Sequence, residues 1–357
     1  MKKEKILSRI EKSFRKTVQK DEKVRNAYLL VESDKLGVQV KLAEGSTGDF
    51  PADVKQPNYL ASAGKIFTST IIGILYEEGR ISFNDSITQY LEQDLLAGLH
   101  VYQGRDYSED IKVKHLLKHT SGLDDYFWPL VEKLIANPEF KITTREAFVW
   151  GKEQLEPAAP PGERFKYTDT NYHLLGFIIE EITGLEFHQA LSKYIFQPLA
   201  LKESYMLGFS APQEELDYPM ADFYFEGRKI QNYETYGNID YAGGGVVAPL
   251  DDWLKFMKAL VNHEIISAET LEIMKQDKSK FRQGIDYGYG IWQIKTIPII
   301  MPKKLNAWGV VGVTGSFVFY HPLTESYVIG SFHESSYESK AVRFMLLKVL
   351  KQLAKLT

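Results

Sequence analysis

The two ends of the chain carry helical hydrophobic patterns, and strand-like patterns lie just inside the first of them. Residues 5–19 predict an amphipathic helix, because their apolar members recur at helical spacing: Ile6, Leu7, Ile10, Phe14 and Val18. Asn26–Glu32 and Gly37–Leu42 then indicate two strands joined by a turn, and so an antiparallel hairpin. At the other end, Lys340–Leu356 predicts a basic amphipathic helix, for which packing across a sheet is favoured over membrane attachment.

Helices and loops dominate the middle of the chain. The apolar run that follows residue 62 stops at Gly79, which predicts a mostly buried helix of about four turns. Further helices are predicted at 85–91, 113–117, 144–152, 172–182, 186–195 and 249–262. For the last of these, Asp251 or Asp252 is the expected N-cap.

Strand patterns return only towards the C-terminus, at 287–294, 316–320 and 326–332. The predicted fold class is therefore α/β in the α+β sense, an antiparallel sheet flanked by helices. We expect residues 1–85 and 235–357 to form the sheet domain, with 86–234 as an inserted, mainly helical region. Clefts tend to form where two such regions meet.

Composition narrows the possible partners and cofactors. The 357 residues include 43 basic and 47 acidic residues, so neither a nucleic acid nor an anionic membrane is indicated. The absence of cysteine excludes disulfides and thiol catalysis, and the eight histidines lack paired metal-ligand spacing. No nucleotide fingerprint occurs, so no cofactor and no metal are predicted. Without a signal peptide or a long apolar segment, a cytoplasmic location is expected if the sequence is complete.

A serine and a lysine three residues apart form the first candidate for chemistry. Ser62 and Lys65 stand at the start of the apolar helix, where positions i and i+3 share one face. A lysine whose pKa is lowered by desolvation can activate a serine hydroxyl, and the helix N-terminus favours an oxyanion. The same spacing also occurs by chance in helices where the serine is a cap and the lysine is solvated, so companion residues must decide.

The second candidate lies in a turn-rich loop that leads into the helix predicted at 172–182. Tyr167 stands in this loop beside Lys166. A tyrosine whose phenol is pushed towards phenolate by a nearby lysine can act as a general base to a serine and as an acid to the leaving group. The competing interpretation is a loop aromatic that packs on the helix that follows.

Taken together, these stretches resemble the serine β-lactamase and penicillin-binding-protein superfamily, in particular its class C β-lactamase, D-aminopeptidase and family VIII esterase branch. The resemblance extends from about Leu29 to Phe332. It rests on several stretches that occur in the same order, namely Ser62 to Lys65, Leu75 to Ser82, Leu116 to Leu123, Phe165 to Glu180, and Ala242 to Val247. His119 falls in a stretch that matches a structural element of the family, and a role for it in a catalytic triad is the weaker interpretation.

The resemblance implies acyl transfer. Ser62 would attack a carbonyl, and Tyr167 with Lys65 would move protons. The oxyanion would lie between the backbone N–H of Ser62 and that of Val313. No metal is implied.

This chain departs from the family pattern at two places. Asp169 stands where the family has Asn, and its charge would tend to keep Lys65 protonated. Val310-Val311-Gly312 stands where Lys-Thr-Gly or His-x-Gly is usual, and an alternative register through Val313-Thr314-Gly315 also lacks the cation. Without that cation, substrate carboxylates should bind less well by several kcal/mol, whereas neutral esters should be affected less.

Three functions remain open at this stage. The leading hypothesis is an esterase-like serine hydrolase that acts on a small ester, amide or short peptide through an acyl-enzyme at Ser62. The second is a D-alanyl-D-alanine carboxypeptidase, a D-aminopeptidase or a weak β-lactamase. The third is an inactive member of the fold that binds a peptide or a partner, and a Ser62→Ala comparison would separate it from the first two.

Overall fold

The centre of the fold is an antiparallel sheet to which both halves of the chain contribute. The computed structural model describes residues 2–297 and 302–357. Within them, the strands are β1 Asn26–Ser33, β2 Val38–Thr47, β3 Phe50–Pro51, β4 Asn58–Tyr59, β5 Val101–Tyr102, β6 Arg105–Asp106, β7 Tyr205–Met206, β8 Tyr224–Phe225, β9 Arg228–Lys229, β10 Val246–Ala248, β11 Ser279–Arg282, β12 Ile285–Tyr287, β13 Trp292–Ile294, β14 Ala307–Gly312, β15 Ser316–His321 and β16 Ser326–Ser331.

The strand order of the large sheet explains how the two chain ends meet. Nine of the described strands lie in the order β11-β12-β13-β14-β15-β16-β1-β2-β3, and each neighbouring pair is antiparallel. The N-terminal hairpin β1–β2 therefore pairs directly with the C-terminal strand β16, with Leu30 opposite Ile329. A smaller sheet, β4-β10-β7, includes the strand that immediately precedes the segment containing Ser62.

Helices cover both faces of the sheet. They are α1 Lys2–Gln19, α2 Lys65–Glu77, α3 Gln93–Leu96, α4 Val113–Leu117, α5 Phe127–Ala136, α6 Thr144–Gln154, α7 Asp169–Thr183, α8 Phe187–Leu191, α9 Tyr233–Asp240, α10 Leu250–Val261, α11 Ala268–Gln276, α12 Glu338–Phe344 and α13 Lys351–Leu353.

Alternation along the strands creates two separate cores. Successive residues of a strand point to opposite faces. Leu29 accordingly packs with Phe14 of α1 and Phe344 of α12, whereas Leu30 belongs to the core that contains Phe67 of α2. The predicted antiparallel sheet flanked by helices is therefore confirmed, and so is the packing of the C-terminal helix on the sheet. The two-domain division at residues 85 and 235 stays a prediction.

Three local predictions were wrong. Residues 287–294 contain the end of β12 and the whole of β13 rather than one strand, because Gly290 has φ +70° and the Gly288 N–H donates to the Ile291 carbonyl at 2.8 Å. Pro249 is the N-cap of α10, so Asp251 and Asp252 lie inside its first turn. The helix predicted at 85–91 is only a 3₁₀ turn at Ile87–Gln89.

Among the helices in the described ranges, none combines the length and the apolar character needed to cross a bilayer. Those ranges also contain no group of three or more His, Asp or Glu side chains arranged to hold a metal ion.

One buried histidine makes stability depend on pH. Burial lowers the pKa of His333 to about 3, whereas a histidine of an unfolded chain titrates near 6.5. Below about pH 6.5 the unfolded state therefore binds a proton that the folded state does not, and this contribution to stability is lost as the pH falls. Relative to a His333→Asn variant, the wild type should lose about 2 kcal/mol of unfolding free energy between pH 7.5 and 5.0.

Urea denaturation of both proteins at pH 7.5, 6.5 and 5.0 checks this prediction. Comparing the wild type with the variant isolates His333 from the other titrating groups. A difference between the two proteins that stays constant with pH would contradict it.

Candidate active site

Ser62 lies in a tight turn that is held between the two sheets. A 3₁₀ turn, Ala61–Gly64, leads directly into α2. Ala61 has φ +51°, a left-handed conformation that residues other than glycine seldom adopt. Ser62 is partly exposed, whereas the residues on either side of it are buried. The turn therefore presents one hydroxyl to the surface of the fold.

The turn needs glycine where two backbones touch. A Cβ at Gly64 would come within 1.7 Å of the Gly244 carbonyl oxygen, and one at Gly312 within 2.1 Å of the Leu60 carbonyl oxygen. The Leu60 carbonyl also accepts a hydrogen bond from Ser316 Oγ at 2.7 Å. The segment Gly243-Gly244-Gly245 after α9, here called the glycine segment, and the end of β14 thus pack directly against the Ala61–Gly64 turn.

The lysine amine reaches the serine hydroxyl, as its spacing predicts. Lys65 Nζ lies 3.2 Å from Ser62 Oγ. The same ammonium forms a buried ion pair with Asp169, the first residue of α7, and donates to the Gly243 carbonyl. Only 1% of the Lys65 side chain is exposed. These contacts hold Lys65 beside Ser62 in a single position.

Asp169 decides the charge of this lysine. Burial by itself lowers the pKa of Lys65, but the nearby charges of Asp169 and Tyr167 more than reverse that effect and raise the pKa. The pKa of Lys65 is thus raised, as the charge of Asp169 predicts, and is not lowered by desolvation. Asp169 keeps the lysine protonated, so in the resting state Lys65 acts as a hydrogen-bond donor to Ser62.

Tyr167 completes the cluster. Its phenol has the Ser62 and Lys65 side chains as hydrogen-bonding neighbours, and Lys65 Nζ lies 5.1 Å from its ring centroid. Burial raises the pKa of Tyr167; the Lys65 ammonium opposes this effect and Asp169 adds to it. The resting site therefore contains a neutral phenol and an ammonium, and a base forms there only when a proton leaves this pair.

Two further carboxyl groups surround the lysine, and the sequence reasoning missed both. Asp240 accepts hydrogen bonds from Tyr59 Oη at 2.8 Å and from the Gly245 N–H, and Asp125 accepts one from the Asp169 N–H at 3.0 Å. Burial raises the pKa of Asp240 to about 7, and it raises that of Asp125 in the same way. Their positions in the sequence could have indicated them. Asp125 lies shortly after Ser121-Gly122, and Asp240 lies shortly before Gly243-Gly244-Gly245.

The valines of the third element lie on opposite sides of β14. Val310 is 2% exposed in the core that contains α2, and Val311 is 4% exposed in the core that contains α1. Gly312 at the end of the strand touches the Ala61–Gly64 turn, and Val313, which follows it, is partly exposed. The sequence analysis placed Val310, Val311 and Gly312 at the third family element and Val313 as an oxyanion donor. The structure brings Gly312 to the site and buries both valines in the cores.

The chain matches a known protein family over most of its length. The Beta-lactamase family model matches residues 17–348. The chain belongs to the beta-lactamase family. Among curated relatives, penicillin-binding protein 4* of Bacillus subtilis (strain 168) is 26% identical over 301 residues, which cover 80% of this chain and 63% of that protein. The chain thus spans less than two thirds of the length of this relative.

Solved structures share the fold of this beta-lactamase family member. A D-stereospecific amidohydrolase from Streptomyces sp. superposes with a TM-score of 0.77 at 21% identity, over 95% of this chain and 98% of that one. The octameric penicillin-binding protein homologue from Pyrococcus abyssi gives a TM-score of 0.79 at 25% identity, over 97% and 77%. The fold and the family are thereby shown, whereas the roles of individual residues stay predictions.

The charge on Asp169 predicts an alkaline pH profile. Because the pKa values of Lys65 and Tyr167 are both raised, the base form of the pair should grow about tenfold for each pH unit through neutrality. The kcat/KM for p-nitrophenyl butyrate should therefore rise from pH 7 to pH 9. Asp169→Asn removes a carboxylate that raises the pKa values of both Lys65 and Tyr167. The rise in kcat/KM should therefore occur at lower pH in this variant.

Steady-state kinetics of the wild type and Asp169→Asn between pH 6 and 10 test this prediction. Asp110→Asn is the matched control, since Asp110 pairs with Arg105 at an exposed site. A profile of Asp169→Asn that coincides with that of the wild type, or that lies at higher pH, would rule out the proposed effect of this charge.

Proposed function

We propose that the protein is a serine hydrolase that forms an acyl-enzyme at Ser62 on small ester or amide substrates. The observation that carries the proposal is the contact of Lys65 Nζ with Ser62 Oγ at 3.2 Å, next to the phenol of Tyr167. A nucleophile, a proton-transfer partner and a fixed cation in hydrogen-bonding reach are the parts that acyl transfer requires.

The proposed reaction proceeds in two steps. In the first, the Tyr167–Lys65 pair has already lost one proton to solvent, the Ser62 oxygen bonds to the substrate carbonyl carbon as its proton passes to this pair, and the pair returns that proton to the leaving group as the carbonyl–leaving-group bond breaks. In the second, water attacks the ester of Ser62 and the acid is released. The backbone N–H groups of Ser62 and Val313 are the proposed oxyanion donors, supported by the contact of Gly312 with the Ala61–Gly64 turn.

The charged groups around Ser62 favour the binding of neutral substrates over anionic ones. The Lys65 ammonium is already paired with Asp169, and the Asp125 and Asp240 carboxyls lie close by. Neither Val310 nor Val311 replaces the missing cation of the third element. A substrate carboxylate would therefore enter a site without a free positive charge, which is costly in a low-dielectric environment.

A D-amino-acid amidase or peptidase is the second candidate. The same surplus of carboxyl groups favours it, because a substrate that carries a free ammonium group gains attraction where a carboxylate meets repulsion. The proposed weak β-lactamase or D-alanyl-D-alanine carboxypeptidase activity is disfavoured by this charge distribution.

A substrate panel separates these possibilities. We expect burst hydrolysis of p-nitrophenyl acetate and butyrate, with D-phenylalanine amide as the test of the amidase and a D-Ala-D-Ala peptide and a penicillin as anionic comparisons. Ser62→Ala should remove every activity. If no ester or amide is turned over, and the wild type and Ser62→Ala behave alike, the hydrolase proposal fails and the inactive binding protein is favoured.

A further inference from the structure

His119 forms hydrogen bonds with both sequence neighbours of Tyr167, one through its backbone and one through its side chain. It follows α4 with φ +56°, and its side chain is completely buried. Its backbone carbonyl accepts a hydrogen bond from the Lys166 N–H at 2.9 Å. Its ring Nδ1 lies 3.3 Å from the Thr168 backbone nitrogen, from which it accepts. The backbone on either side of Tyr167 is thus tied to a single residue.

The ring of His119 also lies against the ring of Tyr167. The two centroids are 4.2 Å apart and the planes differ by 33°. Tyr172, Tyr287 and Phe165 surround the imidazole at centroid distances of 5.3, 4.8 and 5.9 Å. Aromatic contacts in this range contribute about 0.5–1.5 kcal/mol each beyond the burial of area. The stack therefore restricts the plane in which the Tyr167 phenol can lie.

The hydrogen bonds of the imidazole exclude a role as a base. Nδ1 accepts from Thr168 and also faces the Asn171 amide at 3.2 Å, and Ser121 Oγ donates to the Asn171 carbonyl oxygen, which turns the amide NH₂ towards His119. The proton of a neutral ring therefore resides on Nε2. That nitrogen is buried without a hydrogen-bond partner among the described residues.

We infer that His119 is a positioning residue that fixes the ring plane and hydroxyl of Tyr167 for proton exchange with Ser62 and Lys65. This inference rests on the proposed function, in which Tyr167 takes part in acyl transfer. His119 touches neither substrate nor nucleophile in this role and acts entirely through Tyr167. Misplacement of a catalytic group by about 1 Å can lower a rate by roughly 100-fold.

His119→Asn is the variant that isolates the stacked ring. Asparagine tolerates a left-handed backbone and retains an acceptor near the place of Nδ1, but it removes the rest of the imidazole. We expect the rate of Ser62 acylation by a fluorophosphonate, measured per active molecule, to fall roughly 10- to 100-fold. Combined with Tyr167→Phe, the same substitution should cause no further loss, because the hydroxyl it positions is already gone.

A matched control is available in His333. This histidine is also buried and also has a positive φ, of +47°, but it contacts Tyr28 rather than Tyr167. His333→Asn should leave the acylation rate within twofold of that of the wild type. If His119→Asn does not fold, His119→Phe replaces it in the same cycle. His119→Phe keeps a ring but removes the hydrogen-bond acceptor, so it should lower the acylation rate less than His119→Asn does. This loss should likewise disappear in the Tyr167→Phe background.

A second readout does not depend on activity. In protein labelled with [¹³Cζ]tyrosine, the Tyr167 resonance, assigned with Tyr167→Phe, should shift or broaden in His119→Asn and stay unchanged in His333→Asn. The positioning role is overturned if this resonance does not respond, or if His119→Asn slows acylation equally with and without the Tyr167 hydroxyl. If the wild type forms no adduct at Ser62 while the resonance still responds, the proposed function fails and the positioning of Tyr167 stands.

Discussion

Replacing Lys65 with methionine is expected to reduce ester hydrolysis roughly 1,000-fold or more and to destabilise the fold at the same time. The loss of activity follows from the removal of the group that lies 3.2 Å from Ser62 Oγ. The loss of stability has another cause. Lys65 and Asp169 form an ion pair with 1% and 7% of their side chains exposed, so the variant leaves a buried carboxylate without its partner. Breaking such a pair typically costs about 3–5 kcal/mol.

A double variant separates the two effects. Lys65→Met combined with Asp169→Asn removes both charges, so most of the lost unfolding free energy should return while ester hydrolysis stays abolished. Guanidinium denaturation and p-nitrophenyl butyrate kinetics measure the two quantities on the same samples. If activity returned together with stability, Lys65 would have only a structural role.

Tyr167→Phe, unlike Lys65→Met, is expected to lose much of its activity with little change in stability. Removing the phenol oxygen takes away the proposed proton carrier, which should lower kcat by roughly 100- to 10,000-fold. Because Tyr167 is partly exposed and the ring is retained, its packing on His119 remains. The unfolding free energy should therefore change little.

Tyr172→Phe is the matched control for this variant. The Tyr172 hydroxyl donates to the Leu117 carbonyl at 3.0 Å and contacts Ser69 Oγ at 3.1 Å, and the residue is fully buried. Its removal should cost about 1 kcal/mol of stability and leave ester turnover near the wild-type value. If Tyr167→Phe kept full activity, or if both variants lost activity equally, the assignment of Tyr167 would be wrong.

The sequence predicted well those elements whose signal is local. The hairpin β1–β2, the helix that begins at Lys65 and the helix at Val113–Leu117 each lie where the local hydrophobic pattern predicts them. The Ser62–Lys65 contact follows from the spacing of three residues, although Ser62 lies in the 3₁₀ turn and Lys65 begins α2. The prediction of a single strand at 287–294 was wrong because a turn at Gly288 and Gly290 interrupts it. The hydrophobic pattern alone is continuous across that turn.

Contacts between distant segments account for what the sequence could not show. Asp125 and Asp240 come from different parts of the chain and meet at Lys65 only through the packing of α7 and the glycine segment. The raised pKa values of these two carboxyl groups depend on this meeting, which no local sequence pattern shows. The place of His119 against Tyr167 likewise depends on contacts between residues 47 to 52 positions apart.

The most direct test of the central claim is the identity of the acylated residue. The protein is mixed with p-nitrophenyl butyrate, quenched with acid during the burst, and examined by intact mass spectrometry and peptide mapping. Our account predicts a mass increase of one butyryl group, located on Ser62, that is absent in Ser62→Ala and accumulates much more slowly in Tyr167→Phe. An adduct on another residue, or ester turnover that persists in Ser62→Ala, would contradict it.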